Sequence, residues 1–239
     1  MEKTIVHQHG TLGALMAGLM DGTERLSNLL KLGNLGIGTL HGLDGELIIL
    51  GNQGFQGKSD GTLVPLTGEE LVPYAAVTQF HAEKVISIEE TCTSEEIKKE
   101  MIHQMKSQNL FSGIKISGEF SFMHIRIMPK QNKPYKRLVE VSENQPEFTK
   151  RKIKGTIVGF YTPELFQGVA ASGFHLHFLD DAHTFGGHIL DFTLEKGQLE
   201  ISSMDALTQY FPTSDETFLT SEIDYANLAQ EIETAEGSN

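Results

Sequence analysis

The sequence predicts a sheet-rich α/β protein with few helices. Glycine accounts for 24 of the 239 residues, and short apolar runs alternate with turn signals, a pattern typical of many short strands. Helical spacing of apolar residues occurs in only a few segments. A polar, proline-containing stretch at 129–146 divides the chain. We therefore expect two domains, an N-terminal α/β domain over 1–130 and a C-terminal β-rich domain over 131–239.

The first quarter of the chain predicts two short helices and a hairpin. Apolar residues repeat at helical spacing over 12–19 and again over 26–30. Two apolar runs follow, at 36–40 and 46–50, on either side of an Asp-Gly turn signal. Thr39 therefore lies at the end of the first predicted strand and Glu46 at the start of the second, where the sequence alone assigns both a structural role.

The middle of the chain predicts one longer helix and an interrupted strand. The helix covers 94–106, because Thr93 can act as its N-cap and Glu96 completes a capping box. Beyond it, the apolar residues change strand face near Phe122, which indicates a bulge or break there. Arg126 then falls on the less apolar face of the strand.

Further strands and a final helix complete the chain. Apolar runs predict strands at 153–161, 174–179, 188–194 and 199–202. The segment 221–236 has the pattern of a weakly amphipathic acidic helix.

Composition and charge exclude several classes of protein and of binding site. No run of about 18 apolar residues is present, so we expect no membrane span. The first residues lack the apolar core of a signal peptide, and we expect a cytoplasmic protein. The single cysteine, Cys92, excludes an intramolecular disulfide and any cysteine-rich metal site. A net charge of -13 opposes general binding to nucleic acids.

The basic residues are unevenly distributed. Nine of the nineteen lysines and arginines lie between 126 and 154. This basic segment is either a solvated connector or a surface that attracts a small anion or RNA. Aromatic residues that could stack on bases are sparse within it.

A histidine cluster is the strongest candidate for chemistry. His175 and His177 lie on one face of the predicted strand 174–179, because strand side chains alternate, and the apolar residues between them face the other way. If 180–185 connect a hairpin, His188 lies directly opposite His177. Directly opposed residues have Cβ atoms about 4.5–5.5 Å apart. The three imidazoles can therefore converge.

Three interpretations of this cluster remain open at this point. Three neutral imidazoles with open coordination positions are typical of a catalytic zinc site, although nitrogen ligands also accept Fe(II), Mn(II) or Ni(II). A cupin-like metalloenzyme acting on a small anionic keto or hydroxy acid also has His-x-His, normally with a glutamate a few residues on. The interval from Phe178 to His188 lacks that glutamate. The histidines are otherwise chance neighbours on a solvated strand face.

These and other motifs resemble the alpha-acetolactate decarboxylase family. The C-terminal half carries G-T-I-V-G-F-Y-T-P at 155–163, G-F-H-L-H-F at 173–178 and G-G-H at 186–188. The N-terminal half carries G-I-G-T at 36–39, D-G-E at 44–46 and R-I-M-P-K-Q-x-K-P-Y at 126–135. The match covers nearly the whole chain in order.

The resemblance implies a two-domain α/β protein with mixed and antiparallel sheets, dimeric, with one zinc ion on His175, His177 and His188. It also implies active-site roles for Arg126, Glu46 and Thr39, and for a second glutamate on a C-terminal tail that returns to the active site. That glutamate falls on Glu236, with Glu233 and Glu231 as alternatives.

The implied reaction is the metal-dependent decarboxylation of (S)-2-acetolactate to (R)-acetoin and CO2, which belongs to acetoin and butanediol biosynthesis. Loss of CO2 leaves negative charge that must be delocalised into the adjacent ketone, and a Lewis acid assists this. The resemblance therefore predicts a carboxy-lyase that binds a small anionic substrate and neither a nucleic acid nor a membrane.

Overall fold

The structure of the chain, a computed structural model, describes residues 3–142, 144–223 and 226–236, without the side chains of Ala229, Glu233 and Glu236. Its strands are β1 (Ile5–His9), β2 (Glu24–Arg25), β3 (Leu35–Thr39), β4 (Glu46–Leu50), β5 (Gln53–Gly57), β6 (Leu63–Pro65), β7 (Leu71–Val72), β8 (Tyr74–Thr78), β9 (Lys84–Ile88), β10 (Cys92–Thr93), β11 (Ser112–Arg126), β12 (Glu147–Thr162), β13 (Gly173–Asp180), β14 (Gly186–Ser203) and β15 (Ala206–Tyr210). Its α-helices are α1 (Leu12–Met16), α2 (Leu26–Leu29), α3 (Ser94–Gln104), α4 (Leu138–Ser142), α5 (Glu216–Thr220) and α6 (Leu228–Glu236). The predicted sheet-rich α/β class with mixed and antiparallel sheets is confirmed.

The first sheet has seven strands in the order β15-β1-β8-β3-β4-β5-β6. Its neighbours are antiparallel except for the parallel pair β1 and β15. Every residue of β3 and β8 is buried, because apolar clusters cover both faces at the middle of the sheet. The predicted hairpin of β3 and β4 is confirmed, with Thr39 directly opposite Glu46.

The second sheet contains a closed ring of strands. Its order is β10-β14-β11-β12-β13, with β9 also paired to β14, and the end of β13 returns to pair with the start of β14. The ring of β11, β12, β13 and β14 encloses an apolar core. Phe120 packs edge-on against Phe178 and Phe192 there, with ring centroids 5.3 and 5.9 Å apart.

Strand β14 differs from the prediction. The two expected strands at 188–194 and 199–202 are one continuous strand, because β11 and β9 pair with the polar residues between them. A Cβ atom on Gly197 would lie 2.5 Å from the Ser117 carbonyl oxygen, which explains why a glycine lies inside this strand. The predicted irregularity near Phe122 is confirmed by the shifts in register between β11 and β14.

The four predicted helices are present but shorter than expected, and the short helices α4 and α5 were not predicted. The capping box of Thr93 and Glu96 begins α3, as predicted. Helix α1 ends at Met16, earlier than expected, and Gly18 follows with a φ of 89°. The predicted helix at 221–236 is confirmed only for its second half, α6, which packs against α1 and α4.

Strand pairing crosses the expected domain boundary in both directions. Strand β11 precedes residue 130 yet pairs with β12 and β14, and β15 follows it yet pairs with β1. The division at 130 stays a prediction. Among the described residues, no helix is both long enough and apolar enough to cross a membrane.

Candidate active site

The three histidines lie together on the outer face of the closed ring. The predicted register is confirmed, since His177 of β13 is directly opposite His188 of β14. The ring centroids of His175, His177 and His188 are 4.9, 5.2 and 5.5 Å apart, and all three residues are buried. One nitrogen of each ring lies within 4.8 Å of the others, which is close enough for a shared metal ion.

The donor chemistry of the cluster fits a divalent metal. The Nδ1 atom of His177 lies 2.9 Å from the carbonyl oxygen of Leu47. A carbonyl only accepts a hydrogen bond, so Nδ1 carries the proton and Nε2 has the lone pair that a metal requires. Burial, together with the charge of Arg126, lowers the pKa of His175 to about 3 and that of His188 well below its usual value. Both rings are therefore neutral at physiological pH, as metal ligands must be.

Arg126 extends the row of histidines onto a third strand. In the register of β11 and β14 it is directly opposite His188, and its Nη2 donates a hydrogen bond of 3.2 Å to His188 Nε2. Its Nη1 donates to the carbonyl oxygen of Ala235 in α6. The sequence placed Arg126 on the less apolar face of its strand but did not predict that this face is buried. The first sheet and α6 cover the face and leave Arg126 only 3% exposed.

A second row of residues lies across the first sheet. Thr39 of β3 is opposite Glu46 of β4 on one side and Tyr74 of β8 on the other, so the three side chains share one face. Glu46 is buried, with Oε1 accepting a 3.0 Å hydrogen bond from the Met128 amide and Oε2 lying 3.5 Å from His177 Nε2. The Thr39 hydroxyl donates to the carbonyl oxygen of Gly45 at 2.7 Å.

The two rows face each other across one small cavity of about 30 Å³. Its walls are residues of both sheets and of α1 and α4, namely Leu12, Leu15, Gly38, Thr39, Leu43, Glu46, Tyr74, Arg126, Met128, Leu138, His175 and His188. This volume holds one or two water molecules. Among the described side chains, the arrangement brings a candidate metal centre, one arginine and one glutamate together at this cavity.

The C-terminal segment returns to this site through α6. Ile232 and Ala235 are buried against α1 and α4, and the Ala235 carbonyl contacts Arg126. Of the three candidate glutamates, Glu231 forms an ion pair of 2.5 Å with Arg137. The side chains of Glu233 and Glu236 lie outside the described residues, so their predicted role is open.

Comparison with known proteins decides the family. The sequence model for alpha-acetolactate decarboxylase matches residues 6–225. The alpha-acetolactate decarboxylase of Lactococcus lactis is 48% identical over 235 residues, which cover 98% of this chain and 99% of the relative. The chain belongs to the alpha-acetolactate decarboxylase family.

Solved structures agree with this assignment. A crystal structure of an alpha-acetolactate decarboxylase from Bacillus subtilis superposes with a TM-score of 0.94 at 37% identity and covers 98% of this chain and 100% of that chain. A Staphylococcus aureus protein, described as of unknown function and similar to alpha-acetolactate decarboxylase, superposes with a TM-score of 0.95 at 45% identity over 97% and 100% of the two chains. The alpha-acetolactate decarboxylase family therefore replaces the cupin-like alternative.

The basic segment has partners within the chain. Lys130 pairs with Asp44 at 3.0 Å, Lys133 with Asp21 at 2.5 Å, and Lys154 with an acid of β11 at 2.8 Å. These contacts favour the connector interpretation over an RNA-binding surface in this member of the alpha-acetolactate decarboxylase family.

Sequence reasoning missed several groups at the site. The Leu47 carbonyl and the Met128 amide act through the backbone, so their side-chain types give no signal. Tyr74 carries no motif, and only its register with Thr39 places it in the cavity wall.

Proposed function

We propose that this protein decarboxylates (S)-2-acetolactate to (R)-acetoin and CO2, with zinc held by His175, His177 and His188. The observation that carries the proposal is the meeting of the buried histidines with Arg126 and Glu46 at one cavity, in a chain of this family. Zinc, when bound, supplies a Lewis acid that polarises the ketone and hydroxyl oxygens of the substrate. The remaining tasks belong to the side chains of the chain itself.

Arg126 is the group that recognises the substrate carboxylate. Its guanidinium is a planar fork of donors that matches a carboxylate with two parallel hydrogen bonds. When the bond between the carboxylate and the adjacent carbon breaks, the electron pair moves into the neighbouring ketone and CO2 leaves. The fixed positive charge of Arg126, buried beside His188, stabilises the negative charge that the substrate carries through this step.

Glu46 and the tail glutamate are the candidates for proton transfer. After CO2 leaves, one proton must reach the carbon that held the carboxylate, and its side of approach sets the chirality of acetoin. The Glu46 carboxyl group is held at the wall of the cavity by the Met128 amide. Glu236 ends α6, the helix that contacts Arg126. We assign proton delivery to Glu236, in agreement with the role that the family resemblance implies for the tail, with Glu46 as the alternative donor. We propose that Thr39 lies beside the substrate.

Substrate binding requires α6 to shift. The cavity of about 30 Å³ is too small for a five-carbon hydroxy acid. The Ala235 carbonyl accepts a hydrogen bond from Arg126 Nη1, one of the donors that would bind the substrate carboxylate. The substrate carboxylate therefore replaces this carbonyl, and α6 closes over the bound substrate.

We also propose a homodimer. Within the described ranges β15 pairs with β1 alone, so its outer edge is available to a second copy of the chain. Tyr210 and Phe211, at the end of this strand, are 37% and 58% exposed. Light scattering of the eluted protein should give twice the chain mass, and a monomer at micromolar concentration would refute this part. The cytoplasmic location stays a prediction.

Product analysis tests the proposed reaction. The purified protein, incubated with racemic acetolactate, should release CO2 and acetoin in equal amounts, and chiral chromatography should show (R)-acetoin. His177→Ala, with the fold preserved, serves as the control for spontaneous decarboxylation. CO2 release no faster than in that control would rule out the proposed function.

A further inference from the structure

We propose that Gln56 is a positioning residue for Glu46, and that its amide holds the turn from which Glu46 extends into the cavity. The inference rests on the proposed function, because it assigns Gln56 to the same site. Gln56 lies in β5, and in the part of the chain that the structure describes it does not belong to the cavity wall. It therefore acts through Glu46 and not on the substrate.

The turn before Glu46 contains one residue, Leu43, in a conformation that its side chain does not favour. Gly42, Leu43 and Gly45 all have positive φ, at 70°, 58° and 77°. Leucine at positive φ is strained, and such a conformation persists only where the surroundings fix it. The turn therefore needs external contacts to hold Glu46 in one place.

Two buried side chains supply those contacts from opposite sides. The Gln56 Nε2 donates a hydrogen bond of 2.6 Å to the Asp44 carbonyl, and the Thr39 Oγ1 donates one of 2.7 Å to the Gly45 carbonyl. Gln56 is 6% exposed and Thr39 is 4% exposed. The two carbonyls belong to the residues directly before Glu46, so the turn is held from β5 and from β3 at once.

A small displacement of Glu46 would change the contacts of its carboxylate. Its carboxylate lies between the Met128 amide, at 3.0 Å, and His177 Nε2, at 3.5 Å. The next carbonyl, of Leu47, accepts from His177 Nδ1, and Leu47 is directly opposite Gln56 in the register of β4 and β5. A displacement of about 1 Å in a catalytic group can lower a rate about 100-fold. Gln56 thus lies where a small shift changes the carboxylate.

The backbone beside Gln56 packs closely against the second sheet. Gly57 approaches the Gly186 carbonyl so closely that a Cβ atom on Gly57 would lie 2.5 Å from that oxygen. This contact joins β5 to the start of β14, two residues before His188. The strand that carries Gln56 is therefore packed at the junction of the two sheets, which limits movement of the backbone beside Gln56.

The test compares two glutamines of the same strand. Gln56→Met keeps the length and the apolar stem and removes the donor. Gln53→Met is the matched control, because Gln53 Nε2 donates to the carbonyls of Gly54 and Leu66, at 2.8 and 2.7 Å, away from the Glu46 turn. We expect Gln56→Met to lower kcat about 10- to 100-fold with KM and metal content little changed, and Gln53→Met to stay within about twofold of wild type.

A double-mutant cycle separates positioning from general destabilisation. In a Glu46→Gln background, Gln56→Met should cause no further loss, because the group that it positions is already disabled. An equal loss in both backgrounds, or full activity of Gln56→Met, would overturn the proposal. If Gln56→Met does not fold, Gln56→Asn gives the same test, since its amide is about 1.5 Å shorter and cannot reach the Asp44 carbonyl.

A crystal structure of the Gln56 variant tests the inference without any assay. We expect the Glu46 carboxylate to leave the Met128 amide while the histidines stay in place. An unchanged Glu46 position contradicts the inference even if the proposed reaction is correct. A wild-type protein without decarboxylase activity, with Glu46 displaced in the variant, contradicts the proposed function and leaves the positioning role supported.

Discussion

Replacement of Arg126 by lysine isolates the contribution of its planar fork. Arg126 is 3% exposed, and its guanidinium uses two nitrogens in different directions, toward His188 and toward the Ala235 carbonyl. Lysine keeps the positive charge and offers a single nitrogen. Arg126→Lys therefore retains the attraction for an anion and loses one of the two hydrogen bonds to the substrate carboxylate.

The magnitude follows from the burial of that hydrogen bond. A hydrogen bond to a charged group contributes about 1.5–3 kcal/mol, and each 1.4 kcal/mol corresponds to a factor of about ten. We therefore expect kcat/KM to fall about 10- to 100-fold in Arg126→Lys. The melting temperature should fall as well, because the Ala235 carbonyl or His188 loses its donor.

The assay is the steady-state rate of acetoin formation with metal-loaded enzyme. Arg151→Lys is the matched control, since Arg151 is an exposed arginine of β12 that lies over the Phe122 ring, 5.4 Å from its centroid. This control should retain wild-type kcat/KM. Equal kcat/KM for Arg126→Lys and wild type would refute the assignment of Arg126 to the substrate carboxylate.

Three further predictions follow from the site and its surroundings. His177→Ala should lose bound metal and activity while circular dichroism shows a preserved fold, because the apolar residues beside it in β13 still pack inside the ring. Truncation after Leu228 should leave a soluble, metal-loaded protein with strongly reduced decarboxylation. Glu236→Gln should reproduce most of this loss of activity, whereas Glu233→Gln should not. Normal turnover by the truncated protein would contradict the assignment of proton delivery to the tail. Burial and the hydrogen bond to a neighbouring carboxylate raise the pKa of Tyr135 to about 12. The folded state should therefore be destabilised as pH rises from about 10 toward 12, because only the unfolded chain ionises its tyrosine in that range. Chemical denaturation of Tyr135→Phe should show a smaller loss of unfolding free energy over the same range.

The histidines of the first row were predictable from local sequence, whereas Arg126 of the same row was not. The register of His177 and His188 follows from a short hairpin, where the loop length fixes which residues are opposite each other. Arg126 reaches the same row from a strand 62 residues earlier, and register shifts along β11 prevent any simple count from placing it there.

The contact between the two sheets has no local signal. Leu47 and His177 are 130 residues apart in sequence, and their hydrogen bond uses a backbone carbonyl. Glu46 and Thr39 looked like ordinary hairpin residues because their role depends on packing against the second sheet. The family resemblance assigned both residues to the active site, which the periodicity of apolar residues could not do. A motif shared with a family reflects the whole folded site and not only the local strand.

The metal content of the enzyme tests the central claim most directly. Protein purified without chelators should contain one divalent ion per chain by elemental analysis, with zinc as the expected metal. Exhaustive chelation should abolish acetoin formation, and addition of zinc should restore it. Full activity in protein shown to be free of metal would contradict the account of a metal-dependent decarboxylase built on His175, His177 and His188.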